Sequence, residues 1–285
     1  MTDPHTAVLR ELLVRYLDAW TPSVLRSHRH AAFVEAGDLA PAALRVFAEF
    51  ADRLAGRELD VVLVGSGGRP GQETPPGLSV RAVAGPGDVT VTGAVLAHLD
   101  VAGGGLGVDD AWRLVGSLLP GKAREVLLVL PPAGADEVRA HRGRLRDAGL
   151  PYAVTVELAD DDGNTRLLLF ATGNDKHLAT FKNELWAADE FAGIRYRDPR
   201  DAEHALVDIS ETPQLLPLRR VLLAELARRG RCTVADLQQH TLCETIYRPG
   251  DTIGVLTAAV SAGAVTREPA KGRLSLKTVV AAPPN

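Results

Sequence analysis

The sequence predicts a doubly wound α/β domain over residues 1–189, a linker or lid over 190–211 and a small, mainly helical domain over 212–285. Three observations predict it. Continuous apolar runs of strand length alternate with amphipathic helical patterns through the first half, as in a parallel sheet covered on both faces. The last two apolar runs of that region are joined by a polar turn that makes a hairpin. The net charge of −4 over 285 residues also divides unevenly: residues 212–278 carry ten Lys or Arg against five acids, a charge of +5 that leaves −9 for the rest.

The opening helix is read from Leu9, Leu12, Leu13, Tyr16, Leu17 and Trp20, one face of a pattern over 6–20 that Thr21-Pro22 is expected to close. Ala31–Ala36 is the first strand, followed by the turn Gly37-Asp38 and a helix from Pro41 with Leu44, Phe47, Ala51 and Leu54 as its stripe. Leu59–Val64, Leu78–Ala84, Ala94–Leu99 and Glu125–Leu130 are further strands, with helices over 108–119 and 135–149. Tyr152–Leu158 and Thr165–Ala171 form the hairpin across the turn 159–164. A parallel sheet finished by an antiparallel hairpin is the layout of the class I S-adenosylmethionine-dependent methyltransferases, a Rossmann-like fold.

In such sheets ligands bind beyond the carboxyl ends of the strands, so the residues there are the candidate site. Glu35 and Gly37 follow the first strand as Glu35-Ala36-Gly37-Asp38, with one glycine to let the backbone approach a cofactor. Asp88 follows Gly85-Pro86-Gly87 after the third strand, and Asp100 opens a Gly-rich turn, Asp100–Gly107, after the fourth. Asp100 is the catalytic or ligand-contacting candidate, with helix capping as its competing role. Glu35, Gly37 and Asp88 are the cofactor-binding candidates. An acid ending the second strand would bind ribose hydroxyls, but Val64 runs instead into Gly65-Ser66-Gly67-Gly68-Arg69-Pro70-Gly71. That run resembles a Gly-x-Gly-x-x-Gly loop with Pro70 at the third glycine, and a surface loop is its plainer reading.

Other chemistries find little support. Cys232 and Cys243 lie outside any Cys-x-x-Cys pattern, and no His, Cys and carboxylate cluster has ligand spacing, so no metal is expected. His28 and His30 stand two apart without defining a site, and His177 reads as a solitary surface or core histidine. A nucleophile elbow is absent. No apolar run approaches the ~18 residues of a membrane helix, and a cytoplasmic protein is expected.

In the basic segment, Leu215, Leu218, Leu222, Leu223 and Leu226 form a first helical stripe ended by Gly230, Val234–His240 follows the cap Thr233, and a third helix runs from about Gly250 to Ala262. Gly263–Arg267 and Arg273–Lys277 read as two strands of a hairpin, completing a winged helix. In a DNA-binding version the third helix would bring Arg248 and Thr252 to the nucleic acid, and the wing would bring Arg267, Lys271, Arg273 and Lys277 to phosphates. That helix is poor in Arg and Lys, which favours docking to a protein as the alternative.

Several stretches together resemble the three-Cys-motif partner protein family, TcmP: Tyr16-Leu17-Asp18-Ala19-Trp20, Phe33–Asp38, Asp100-Val101-Ala102-Gly103 against the family's Asp-Pro-Phe-Gly, and Lys182-Asn183-Glu184-Leu185-Trp186, with the C-terminal winged helix. The chain departs from the family at Asp38-Leu39-Ala40, where Gly-Pro-Gly is usual, and at Val101-Ala102, where Pro-Phe is usual. The resemblance implies a methyltransferase-like protein with a radical-SAM-like three-Cys partner; the departures fall on positions that would carry catalysis, so the expectation is an accessory protein with a degenerate S-adenosylmethionine site, acting with that partner or with nucleic acid. An active S-adenosylmethionine-dependent methyltransferase with an atypical pocket is one alternative, and a winged-helix DNA-binding regulator is another.

Overall fold

The computed structural model describes residues 3–65, 74–118, 123–189 and 193–283. They form two compact units, divided between Ser210 and Glu211.

In the first unit, α1 (Pro4–Ser27) is followed by β1 (His30–Ala36), α2 (Ala40–Glu49), β2 (Glu58–Val64), β3 (Leu78–Val83), β4 (Ala94–Asp100), α3 (Val108–Leu118), β5 (Arg124–Leu130), α4 (Ala135–Asp147), β6 (Tyr152–Asp160), β7 (Thr165–Thr172), α5 (Asp175–Trp186), β8 (Ile194–Arg197) and β9 (Leu206–Asp208). The nine strands make one mixed sheet in the order β3-β2-β1-β4-β5-β7-β6-β8-β9. β1 to β5 are parallel, and every pairing from β7 onward is antiparallel. The chain therefore reverses its direction of winding between β1 and β4, the place where doubly wound sheets open a crevice.

Both faces of the middle of the sheet are covered, which is why β1, β4, β5 and β7 are buried along nearly their whole length. Ala32, Val34, Ala97, Leu99, Val126 and Leu128 pack with Leu114, Val115, Val138 and Leu145 of α3 and α4 in one buried cluster. On the other face Phe47 of α2 meets Phe33 edge-on at 5.5 Å, and Tyr16 of α1 and Phe181 of α5 close on Phe170 of β7.

Two expectations for this unit need correction. The first helix does not stop at Thr21-Pro22 but continues to Ser27, with Pro22 inside it. Proline forfeits one backbone hydrogen bond there, and burial of Val24 and Leu25 in the following turn offsets the loss. The segment 190–211 is not a plain linker, because β8 pairs with β6 and β9 pairs with β8. Ile194, Tyr196 and Val207 are buried while Arg195, Arg197 and Asp208 are not, an alternation too short to stand out among polar neighbours.

The second unit runs α6 (Leu216–Arg229), β10 (Arg231–Thr233), α7 (Val234–Glu244), α8 (Asp251–Ser261), β11 (Thr266–Glu268) and β12 (Val279–Ala281), the strands forming an antiparallel sheet in the order β10-β12-β11. The expected strand at Arg273–Lys277 is replaced by β12, which carries the β-branched Val279 and Val280, and β10 had no sequence signal at three residues. Thr233 caps α7 in a reciprocal box with Asp236.

Glu225 of α6 is 8% exposed and pairs with Arg228 at 2.8 Å and with Arg229 at 2.5 Å, near His240 at 3.6 Å. The Arg228 hydrogen bond, aided by Arg229 and His240 against burial, holds its carboxyl down to about 2. A depressed carboxylate contributes stability that is full above its unfolded value of 4.5 and is lost as pH falls through about 2. Glu225→Gln is expected to destabilise this unit by roughly 1–2 kcal/mol at neutral pH, allowing for the solvent around Arg228, with the penalty fading toward pH ~2 in acid-denaturation curves.

Candidate functional site

The crevice between the carboxyl ends of β1 and β4 gathers three of the four residues expected there. Strand register places Glu35 directly beside His98, so both side chains leave the sheet on the same face. Each is 1% exposed, and His98 Nδ1 lies 3.0 Å from both Glu35 carboxylate oxygens. Glu35 Oε1 also accepts the Leu39 N–H at 3.2 Å, serving the first turn of α2 that Leu39 itself cannot cap. Burial opposes charge on His98, but the Glu35 carboxylate outweighs it and Asp100 adds to it, so the imidazole sits above its ordinary value. His98 Nε2 is buried without a hydrogen-bond partner among the described residues.

Gly37 is needed for close packing rather than for a left-handed turn. A Cβ there would lie 3.0 Å from both Asp100 Cβ and Glu35 Oε1 and 3.4 Å from the His98 ring. Asp100, the last residue of β4, turns its carboxylate back to accept the Gly103 N–H at 2.6 Å. The turn that follows then folds onto the end of β1. A Cβ on Gly105 would meet Ala36 O at 2.6 Å, with Gly37 Cα and Asp100 O at 3.0 Å. Asp88 is exposed at the end of a short 3₁₀ turn, Pro86–Asp88, and its carboxylate accepts the Gly85 N–H at 3.2 Å.

Solved structures similar to this chain include EvdMO1 (10% identity, TM-score 0.35), of whose length the chain covers 41% from 57% of its own. Magnesium protoporphyrin IX methyltransferase from Synechocystis PCC 6803 with bound SAM matches 60% of this chain and 84% of that one, at 14% identity and a TM-score of 0.39. A 16S rRNA (adenine(1408)-N(1))-methyltransferase mutant from Catenulisporales acidiphilia matches 55% and 90%, at 16% identity and 0.34. No protein-family model matches the chain, and no curated protein does. The fold is a mixed α/β sheet, parallel from β1 to β5 and antiparallel beyond.

Among the described residues, those at the crevice pack on one another. Glu35 is spent on His98 and α2, and the space above Gly37 is filled by Glu35, His98 and Asp100. The backbone at Gly105 lies against the end of β1. The second strand ends on Val64-Gly65 without an acid, and residues 66–73, which hold the Gly-rich run, lie outside the described residues. The partner that sequence reasoning missed is His98. Its pairing with Glu35 depends on β1 and β4 being neighbours, which a linear pattern of strands does not reveal.

In the second unit the six expected nucleic-acid residues separate. Thr252 is fully buried, its hydroxyl 2.8 Å from that of Thr241, so it cannot face a groove; apolar packing of α8 on α7 turned it inward. Arg248 is paired with Asp251 at 3.0 Å and donates to Glu211 O at 2.7 Å, at the start of α8. Arg267 donates to the carbonyls of Pro269 and Gly272 and so organises the turn after β11. Lys271, Arg273 and Lys277 are exposed in the loop between β11 and β12.

Proposed function

We propose that this chain is a TcmP-like accessory protein. Its methyltransferase-like unit has lost the cofactor function, and it acts with a nucleic acid or a three-Cys partner enzyme through a C-terminal winged helix. The observation that carries the first half is the turn at Gly105 seated on Ala36 and Gly37, together with a Glu35 enclosed by His98. The crevice then serves as packed core rather than as a binding surface. Support for a winged helix comes from the order α6, β10, α7, α8, β11, β12 with β12 between the other two strands. The three exposed cations between β11 and β12 supply phosphate contacts.

A titration of duplex DNA across a salt series tests the nucleic-acid half. The chain is expected to bind at low salt with an affinity falling steeply as salt rises, and the triple variant Lys271→Ala, Arg273→Ala, Lys277→Ala is expected to reduce the salt slope by about three. Absence of binding at low salt would sink the nucleic-acid role and leave protein docking, which co-purification with a three-Cys-motif protein then tests. Incubation with methyl-labelled S-adenosylmethionine and cell extract is expected to transfer no label. Transfer to any macromolecule would overturn the proposal in favour of a working methyltransferase.

A further inference from the structure

The chain between β11 and β12 carries three cations, Lys271, Arg273 and Lys277, and no acid from Pro269 to Thr278. All three are exposed, and Glu268, the acid just before the segment, is engaged by Arg231. Phosphate contacts alone need no fixed conformation, yet this segment has one. Arg267 donates to Pro269 O at 2.8 Å, Gly272 O at 2.6 Å and Lys271 O at 3.3 Å, which fixes the first half. The second half is a tight turn, Ser275–Thr278. Its Thr278 N–H donates to Ser275 O at 2.9 Å, and the Ser275 N–H donates to the Thr278 hydroxyl, also at 2.9 Å.

The turn is seated on the start of α7. The N–H groups of Val234 and Ala235 open that helix and lack partners within it; they donate to Thr278 O at 2.9 Å and to Leu276 O at 3.0 Å. Leu274 and Thr278 are buried before and after the corner, while Leu276 is 53% exposed and Lys277 stands exposed beside it. Turn corners ordinarily carry Gly, Pro, Asn, Asp or Ser. An aliphatic side chain held out at one by this set of hydrogen bonds is an apolar point of fixed position, whose backbone has little freedom left to lose on binding.

We propose that Leu276 is a wedge for duplex DNA: it enters the minor groove and parts a base step while Lys271, Arg273 and Lys277 hold the flanking phosphates. The wedge rests on the nucleic-acid reading of the second unit given above. The charge around Leu276 is all positive, which complements the phosphates on both sides of a groove rather than an apolar pocket of a protein. A minor groove about 6 Å wide admits one aliphatic side chain on a turn, and proteins that kink DNA place such side chains between base steps.

An alternating thymine–adenine duplex carrying 2-aminopurine, which brightens when it unstacks, tests the wedge with the full chain, since such steps part most easily. At low salt the wild type is expected to raise the fluorescence saturably. Leu276→Ala is expected to keep the wild-type unfolding midpoint, its position being exposed, and to lose most of the rise. Its affinity is expected to fall about fivefold or more with an unchanged salt slope, because leucine releases no counterion. Leu276→Met is expected to restore the rise. Lys277→Ala should show the opposite pattern, a salt slope lower by about one with the rise retained at saturation. Wild type that binds without brightening the probe, or a Leu276→Ala that binds and brightens as wild type does, would overturn the wedge and leave the nucleic-acid reading standing. No binding by wild type at low salt would overturn both.

Discussion

Replacing Glu35 with alanine is expected to destabilise the first unit by about 3–5 kcal/mol, the cost of leaving a buried ionisable partner uncompensated. The double variant Glu35→Leu, His98→Leu is expected to lose less than the single one, since two apolar side chains remove the charge and its desolvation together. The pH dependence follows from His98. A histidine raised by its partner contributes stability that is full below its unfolded value of about 6.5 and is lost as pH rises through the folded one. Urea unfolding of wild type and Glu35→Ala should therefore differ most below about pH 6.5 and converge in alkali. A penalty under about 1 kcal/mol, or a double variant worse than the sum of the singles, would show that the pair is not a buried structural element.

Gly93→Ala is expected to be comparably damaging, with a loss of more than about 3 kcal/mol. Gly93 has φ +77° and directly precedes β4, and an added Cβ would overlap the carbonyl oxygen of His30 at the start of β1. The backbone cannot move away cheaply, since Arg124 holds the Gly93 carbonyl from β5. Steric overlap thus adds to the left-handed strain of about 1 kcal/mol. Gly56→Ala supplies the contrast. At φ +72° with nothing within 4 Å, it is expected to cost only about 1 kcal/mol in the same unfolding experiment. Equal losses for the two would contradict the close approach of β1 and β4.

Most of the first unit was legible because β1, β2 and β4 to β7 are short, mainly apolar runs and the hairpin turn 159–164 is unmistakably polar. What the linear pattern could not supply was strand adjacency. Glu35 and Gly37 were found as residues at a strand end, but the meaning of Glu35 reversed once β4 came to lie beside β1 and presented His98. The same holds for Glu125 and His177, 52 residues apart and joined only by the packing of α5 on the sheet. Pro22 misled because a breaker was weighed without the burial that follows it. In the second unit the weakest signals were the three-residue strands, whose pairing depends on partners elsewhere in the chain. Thr252 misled because helical periodicity alone does not say which side of α8 meets α7.

In the proposed function the switch-point crevice is closed by the chain's own Gly105 turn and by the Glu35–His98 pair. Isothermal titration calorimetry of the full chain with S-adenosylmethionine and with S-adenosylhomocysteine tests it most directly. No saturable heat is expected for either at millimolar concentration, and saturable binding of either one would contradict the closed crevice.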